Sequence, residues 1–333
     1  MTVTPLILGS GRSGHAIAKS LACLQLARPE LNIETPVWLE RGSSLADARK
    51  KYSRPVLCIA NPHGLHAPSI LDADRAGYAA ILCEKPACIN LDEVRALREV
   101  KTPVAILHVY RQTWGLQTLK RLLDEQTLGR IITIEGRYWQ ASAAERALHQ
   151  KSHQAQGWKD DPRISGAFDT YLDLGTHWID AVSFLMGATP NRIDGWRSYI
   201  NAETPHRDTH VQLTLDYPQG RALGSISKTV HGATNHFEIN VLGSQGSATW
   251  QFLQPDEIIL GVGRDRKVMT RKDTELGSRQ PPYHGMGWLE GYIEIASCLL
   301  DEAFGQKKRS YPHLATNLDI LEAMFQARWQ EER

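Results

Sequence analysis

The first fourteen residues constrain this chain more than any other stretch. Val3–Leu8 is a short apolar run, Gly9-Ser10-Gly11-Arg12-Ser13-Gly14 is a glycine turn, and residues 15–22 read as a helix. Strand, tight turn and helix is the order of a dinucleotide-binding unit. In such a unit Gly9 permits the turn, Gly11 leaves the backbone open to a pyrophosphate, and Gly14 lets the helix lie close to the strand. Arg12 and Ser13 then stand at the helix N-terminus, where free N–H groups and the positive dipole end attract phosphate. Taken alone, the same six residues also describe an ordinary glycine turn.

From there the chain repeats the strand–helix alternation of a parallel sheet. Pro36–Glu40 reads as a second strand ending in an acid. An acid there accepts hydrogen bonds from ribose hydroxyls, whereas Arg41 and Ser43 beside it could hold a 2′-phosphate. The expected cofactor is NAD or NADP, with NAD favoured because an anionic Glu40 would repel that phosphate. Leu45–Tyr52 reads as a short helix, and Pro55–Ala60 as a strand apolar enough to be buried on both faces. It runs into Asn61-Pro62-His63-Gly64-Leu65-His66, a loop at the carboxyl end of a strand, where ligands sit in open α/β sheets. Asn61, Pro62 and His66 are therefore candidate cofactor contacts. Tyr78–Cys83 is a further strand, and it delivers Glu84-Lys85-Pro86 to the same edge of the sheet. A helix over 91–100 and a strand over 103–109 complete this part.

Beyond residue 110 the pattern changes. Residues 114–126 form an amphipathic helix and 131–139 a strand. Residues 141–163 are polar, without a clear period. Residues 166–186 read as a long helix. Strand-like runs then succeed one another over 192–200, 209–217, 222–230, 237–242, 248–253 and 257–261, joined by short turns such as Pro218-Gln219-Gly220. Consecutive strands with short turns imply an antiparallel or mixed sheet. Helices over 287–304 and 313–329 close the chain. The expected division is 1–115 for the nucleotide and 116–333 for substrate and assembly. At 333 residues there is room for both.

A net charge of +1 argues against nucleic acid or an anionic membrane as partner. No apolar stretch approaches the ~20 residues that span a bilayer, and no export signal is read at the N-terminus. The five cysteines are scattered and form no C-x-x-C pair. A cytoplasmic protein without disulfides or structural zinc is the expectation.

Two stretches carry candidate chemistry. Lys85, after a buried strand, would reach the cleft where a nicotinamide lies. In Asp173-Leu174-Gly175-Thr176-His177-Trp178-Ile179-Asp180, the acid and the imidazole are four apart and share a helix face. An acid so placed can orient a histidine that works as general acid or base. Asp180, three residues on, can approach His177 too. The plainer readings are a solvated lysine and a surface Asp–His pair. A metal site on Asp173 and His177 would need His149, His153 or His210, whose spacing matches no zinc signature, so none is expected. Trp114, Trp139, Trp158 and Trp178 could stack on a sugar, although core packing is the commoner use of such residues.

The turn at 9–14, Glu84-Lys85-Pro86, Asp173-x-Gly175-x-His177-x-x-Asp180 and Asn61-Pro62 with His66-Ala67-Pro68 together resemble the glucose-fructose oxidoreductase/inositol dehydrogenase (Gfo/Idh/MocA) family. The resemblance implies an N-terminal Rossmann domain and a C-terminal α/β domain with a large, mostly antiparallel sheet. It implies an NAD(P)-dependent oxidoreductase of a sugar, cyclitol or related polyol, assembled as a homodimer or homotetramer through that sheet. By position, Lys85 would hold and polarise the reacting hydroxyl, Asp173 would support it and bind substrate, and His177 would be the acid/base. Some members cleave glycosides through NAD without net redox, and a non-catalytic NAD(P)-binding regulator is the remaining alternative. The chain departs from the pattern after Tyr52, where a strand and helix are missing and the Rossmann domain is shortened. The glycine-rich entry to the acid–histidine helix is reduced to Ser165-Gly166-Ala167-Phe168. Finally, Tyr311-Pro312-His313-Leu314-Ala315 replaces an acidic segment before the last helix.

Overall fold

The computed structural model describes residues 2–148, 157–200, 207–271, 287–306 and 309–331. In chain order the elements begin with β1 (Thr4–Leu8), α1 (Arg12–Ala27), β2 (Val37–Leu39), α2 (Leu45–Lys50) and β3 (Pro55–Ile59). Next come α3 (His66–Ala76), β4 (Ala80–Cys83), α4 (Leu91–Leu97), β5 (Val104–Ile106), α5 (Trp114–Asp124) and β6 (Ile131–Trp139). After α6 (Ser142–Leu148), α7 (Pro162–Ser165) and α8 (Thr176–Met186) the strands succeed one another: β7 (Arg192–Ser198), β8 (His210–Tyr217), β9 (Gly220–Ser227), β10 (His236–Gly243), β11 (Gly246–Gln251), β12 (Glu257–Val262) and β13 (Asp265–Thr270). The chain closes with α9 (Leu289–Ala303), α10 (Leu314–Phe325) and β14 (Arg328–Glu331).

These elements form two compact units. The first takes Met1–Gln112, Arg163–Gly166 and Trp288–Leu321, and the second takes Thr113–Pro162, Ala167–Gly287 and Glu322–Arg333. In the first, five parallel strands lie in the order β2-β1-β3-β4-β5. Every residue of β3 and β4 is buried, as their unbroken apolar sequence requires of inner parallel strands. A dinucleotide sheet ordinarily carries another strand beyond β2. Here β2 is the edge, so the domain is shortened as the sequence after Tyr52 implies. The late helix α9 belongs to this unit, where Asp301 receives Arg28 at 2.6 Å and Arg309 at 2.8 Å.

The second unit is built on nine strands in the order β13-β12-β11-β10-β6-β9-β8-β7-β14. Pairing is antiparallel except between β6 and β9 and between β7 and β14. Burial alternates along β8 and β10, so one face is covered and the other is open. Gly136 of β6 pairs with Gly224 of β9. The fully buried Trp178 ring of α8 lies where their side chains would stand, at 2.7–2.8 Å from the positions of the missing Cβ atoms. Trp178 is thus a core residue that seats α8 on the sheet.

Several sequence expectations change. The closing helix stops at Phe325, and Arg328–Glu331 pairs with β7 instead of extending it. Trp329 lies over Gly195 of β7, a tertiary contact that outweighs helical periodicity. Residues 142–148 and 162–165 are helical inside the polar stretch 141–163, whereas His149, Lys151 and His153 lie outside the described residues. Strand β13 had no signature because four of its six residues are exposed and nothing alternates. The stretch read as one helix from residue 166 begins with a π-helical turn, Tyr171–Gly175.

Candidate active site

The glycine turn carries the first group of candidate residues. Gly9 has φ +114°, in the region that favours glycine, and a Cβ there would overlap the carbonyl of Ala60 at the end of β3. A Cβ on Gly14 would overlap the carbonyl oxygen of Gly9, so helix and turn are in direct contact. At Gly11 nothing stands within 4 Å of where a Cβ would be. No side chain caps the N-terminus of α1. An open backbone at Gly11 beside an uncapped helix end fits a pyrophosphate. Glu40 and Arg41 come directly after β2 and are exposed.

The loop after β3 and the segment after β4 are tied together by His66. Its ring is completely buried, with Nδ1 2.7 Å from Pro86 O and Nε2 2.8 Å from Asn61 O. Burial pushes its pKa down, against the pull of both carbonyls. A neutral imidazole donates through one nitrogen only, so at most one of these contacts is then a hydrogen bond. The Asn61 amide donates to Ser69 Oγ at 3.1 Å, and Pro62 precedes the short turn His63–Leu65. Lys85, partly exposed, precedes a cis peptide to Pro86.

Glu84 is buried. It accepts a hydrogen bond from Tyr292 Oη of α9 at 2.5 Å and another from Ser13 of the glycine turn. Desolvation raises its pKa, opposed by these donors and by neighbouring Lys85. Tyr292, buried and with its own pKa raised chiefly by burial, is a site-supporting residue that sequence reasoning missed. It is 208 positions from its partner, and no local signal joins them. Tyr292→Phe leaves the carboxyl short of a donor and should lower the unfolding free energy by about 1–3 kcal/mol, read from the urea midpoint.

The second group of candidate residues belongs to the other unit. Asp173 sits in the π-helical turn and His177 in the first turn of α8. A π-turn holds more than four residues per turn, so the expected α-helical alignment of the two is altered. Asp173 forms ion pairs with Lys228 at 2.8 Å and, more loosely, with Lys159 at 4.0 Å. Lys228 comes directly after β9 and also meets Asp169 at 2.7 Å. Burial pulls its pKa down, yet the two carboxylates outweigh this and it is raised. The turn is anchored by Asp208, whose buried carboxylate accepts the backbone N–H groups of Asp169 at 2.8 Å and Tyr171 at 2.7 Å. Lys228 and Asp208 were both missed by sequence reasoning. His177 is buried, with its ring edge-on to Tyr138 at a centroid distance of 6.3 Å. Asp180 is buried deeper in α8. His210 of β8 stands edge-on to Trp196 of β7. Among the described residues no three His, Cys, Asp or Glu side chains could hold a metal ion.

The family model of the GFO/IDH/MocA C-terminal domain matches residues 116–249 of this chain. Levoglucosan dehydrogenase of Pseudarthrobacter phenanthrenivorans is 26% identical over 270 residues, covering 72% of this chain and 67% of its own. An inositol dehydrogenase homolog of Azotobacter vinelandii, solved with NAD+, superposes with a TM-score of 0.81 at 17% identity, covering 98% of this chain and 94% of its own. A levoglucosan dehydrogenase solved with NADH and levoglucosan gives 0.80 at 20% identity, covering 98% of both chains. Over residues 116–249 the chain is thus similar to the C-terminal domain of Gfo/Idh/MocA proteins. The parallel N-terminal sheet and the large, mostly antiparallel C-terminal sheet are the architecture that this resemblance implies.

Proposed function

We propose that the protein is an NAD(P)-dependent dehydrogenase or reductase acting on a CH–OH group of a sugar, cyclitol or related polyol. One observation carries this reading furthest. The glycine turn, with Gly11 open and the end of α1 uncapped, stands in the same unit as Lys85 at the carboxyl edge of the parallel sheet. When bound, the nicotinamide exchanges a hydride with the carbinol carbon. Gly9, Gly11 and Gly14 shape the cradle for the pyrophosphate, and Arg12 and Ser13 present the helix end. Asn61 and Pro62 line the loop that His66 holds to the Lys85–Pro86 segment, while Glu84 ties that segment to Ser13.

Lys85 places a cation beside the hydroxyl oxygen as negative charge develops on it. His177 takes up the hydroxyl proton in oxidation and returns it in reduction. Asp173 accepts a hydrogen bond from the substrate. The open sheet face, which carries Trp139 and Trp196 with Arg137, is proposed to receive a second copy of the chain. Sedimentation at micromolar concentration showing only single chains would contradict that assembly. NAD is preferred over NADP because Glu40 directly follows β2 and would repel a 2′-phosphate. A fluorescence titration should give NADH a Kd at least about tenfold below that of NADPH, since about 1.4 kcal/mol of repulsion suffices. Equal affinities would return the cofactor to Arg41 and Ser43.

A further inference from the structure

Lys228 belongs to no motif in the sequence, yet its ammonium meets Asp173, one of the candidate residues of the second unit. Its backbone is fixed on two sides. The N–H donates to Thr209 O at 2.9 Å, and the carbonyl accepts from Ala143 N at 2.8 Å. Its side chain, 7% exposed, ends between Asp169 Oδ1 and Asp173 Oδ2 at 2.7 and 2.8 Å. Among the described residues, charged groups near the pair include Arg207, 3.8 Å from Asp169, Lys159, 4.0 Å from Asp173, and the buried Asp208 beneath the turn. His177 comes four residues after Asp173 in the chain.

We propose that Lys228 is a positioning residue that holds Asp173 ionised and aimed as a hydrogen-bond acceptor, which leaves proton transfer to His177. The proposal rests on the dehydrogenase reading for its link to catalysis, but the electrostatic part can be measured without turnover. Lysine serves here because a compact ammonium with three donors can bridge two carboxylates. Without it, Asp169 and Asp173 stand as like charges with only the more distant Arg207 and Lys159 to offset them, and sharing a proton becomes more favourable. Asp173 would then take up a proton near neutral pH and lose its acceptor role.

The test is Lys228→Met, with Lys228→Arg as the charge-conserving control. In the methionine variant kcat/KM acquires an acid limb, falling at least ~10-fold more than the wild type between about pH 9 and pH 6, the effect of one carboxyl moved into that range. Lys228→Arg keeps the wild-type profile to within ~3-fold, because a guanidinium can also bridge the pair. Adding Asp169→Asn to Lys228→Met removes the like charge and moves the limb back towards the wild type. The turnover-free readout is carbon-13 NMR of labelled aspartate carboxyls. A resonance titrating near neutral pH should be present in Lys228→Met and absent from the Asp173→Asn/Lys228→Met double variant. A lower Tm with an unchanged pH profile and no new titration would overturn the proposal. A wild type that turns over no sugar or cyclitol would defeat the dehydrogenase reading and leave the carboxyl result standing.

Discussion

Lys85→Met should lower kcat by a factor of ~10²–10³, the range found when a group that stabilises a developing oxyanion is removed. The grounds are geometric and electrostatic. Lys85 leaves the carboxyl end of β4, a strand buried along its whole length, and is succeeded by the segment that His66 and Glu84 hold in place. Its substitution removes a charge from the carboxyl edge of the parallel sheet and leaves those supports intact. KM for the dinucleotide should therefore change little, and the Tm should stay within a few degrees of the wild type. His177→Ala removes the proposed proton acceptor and should cost ~10²–10⁴ in kcat, with the deficit in oxidation shrinking as pH rises and hydroxide substitutes for the base. Steady-state kinetics of both variants checks this. A loss confined to KM would mean that these residues bind substrate without taking part in the chemistry.

The second large effect is expected at Gly14. Any Cβ there overlaps the carbonyl of Gly9, and the indole of Trp38 stands 3.1 Å from the same point. Gly14→Val must push α1 away from the turn or rotate its first residues, and either displaces the N–H groups offered to phosphate. Dinucleotide affinity should fall by ~10²-fold or more, corresponding to about 2.7 kcal/mol, by isothermal titration. Overpacking should also lower stability by about 1–3 kcal/mol. Gly11→Ala is the informative control. Nothing occupies the space of its Cβ, so this variant should fold with near wild-type stability while still weakening binding. If Gly11→Ala bound the dinucleotide normally, the pyrophosphate would not approach the backbone there.

The contrast among these residues shows what a sequence alone can carry. The glycine turn was legible because its determinants are local: a positive φ at Gly9 and a close approach at Gly14 are set within six residues of chain. The buried strands before Asn61 and Glu84 were legible from unbroken apolar runs. Asp173 and His177 could be found by spacing, but not how they stand. A π-turn alters their alignment, and Asp173 also meets Lys228, fifty-five residues later, a contact that no spacing announces. Tyr292 was invisible for the same reason, since its partner Glu84 lies in a different part of the chain. Residues 328–331 misled by propensity, because their strand exists only through pairing with β7 and the fit of Trp329 over Gly195. Where contacts are long-range, local pattern has no purchase on them.

The most direct test of the central claim is to incubate the wild type, Lys85→Met and His177→Ala with oxidised dinucleotide and a panel of sugars, cyclitols and glycosides, and to track the reduced-nicotinamide absorbance. The wild type should form reduced cofactor with at least one neutral polyol, and both variants should fail to do so at a comparable rate. Variants as active as the wild type, or glycoside cleavage with no change in that absorbance, would contradict the assignment.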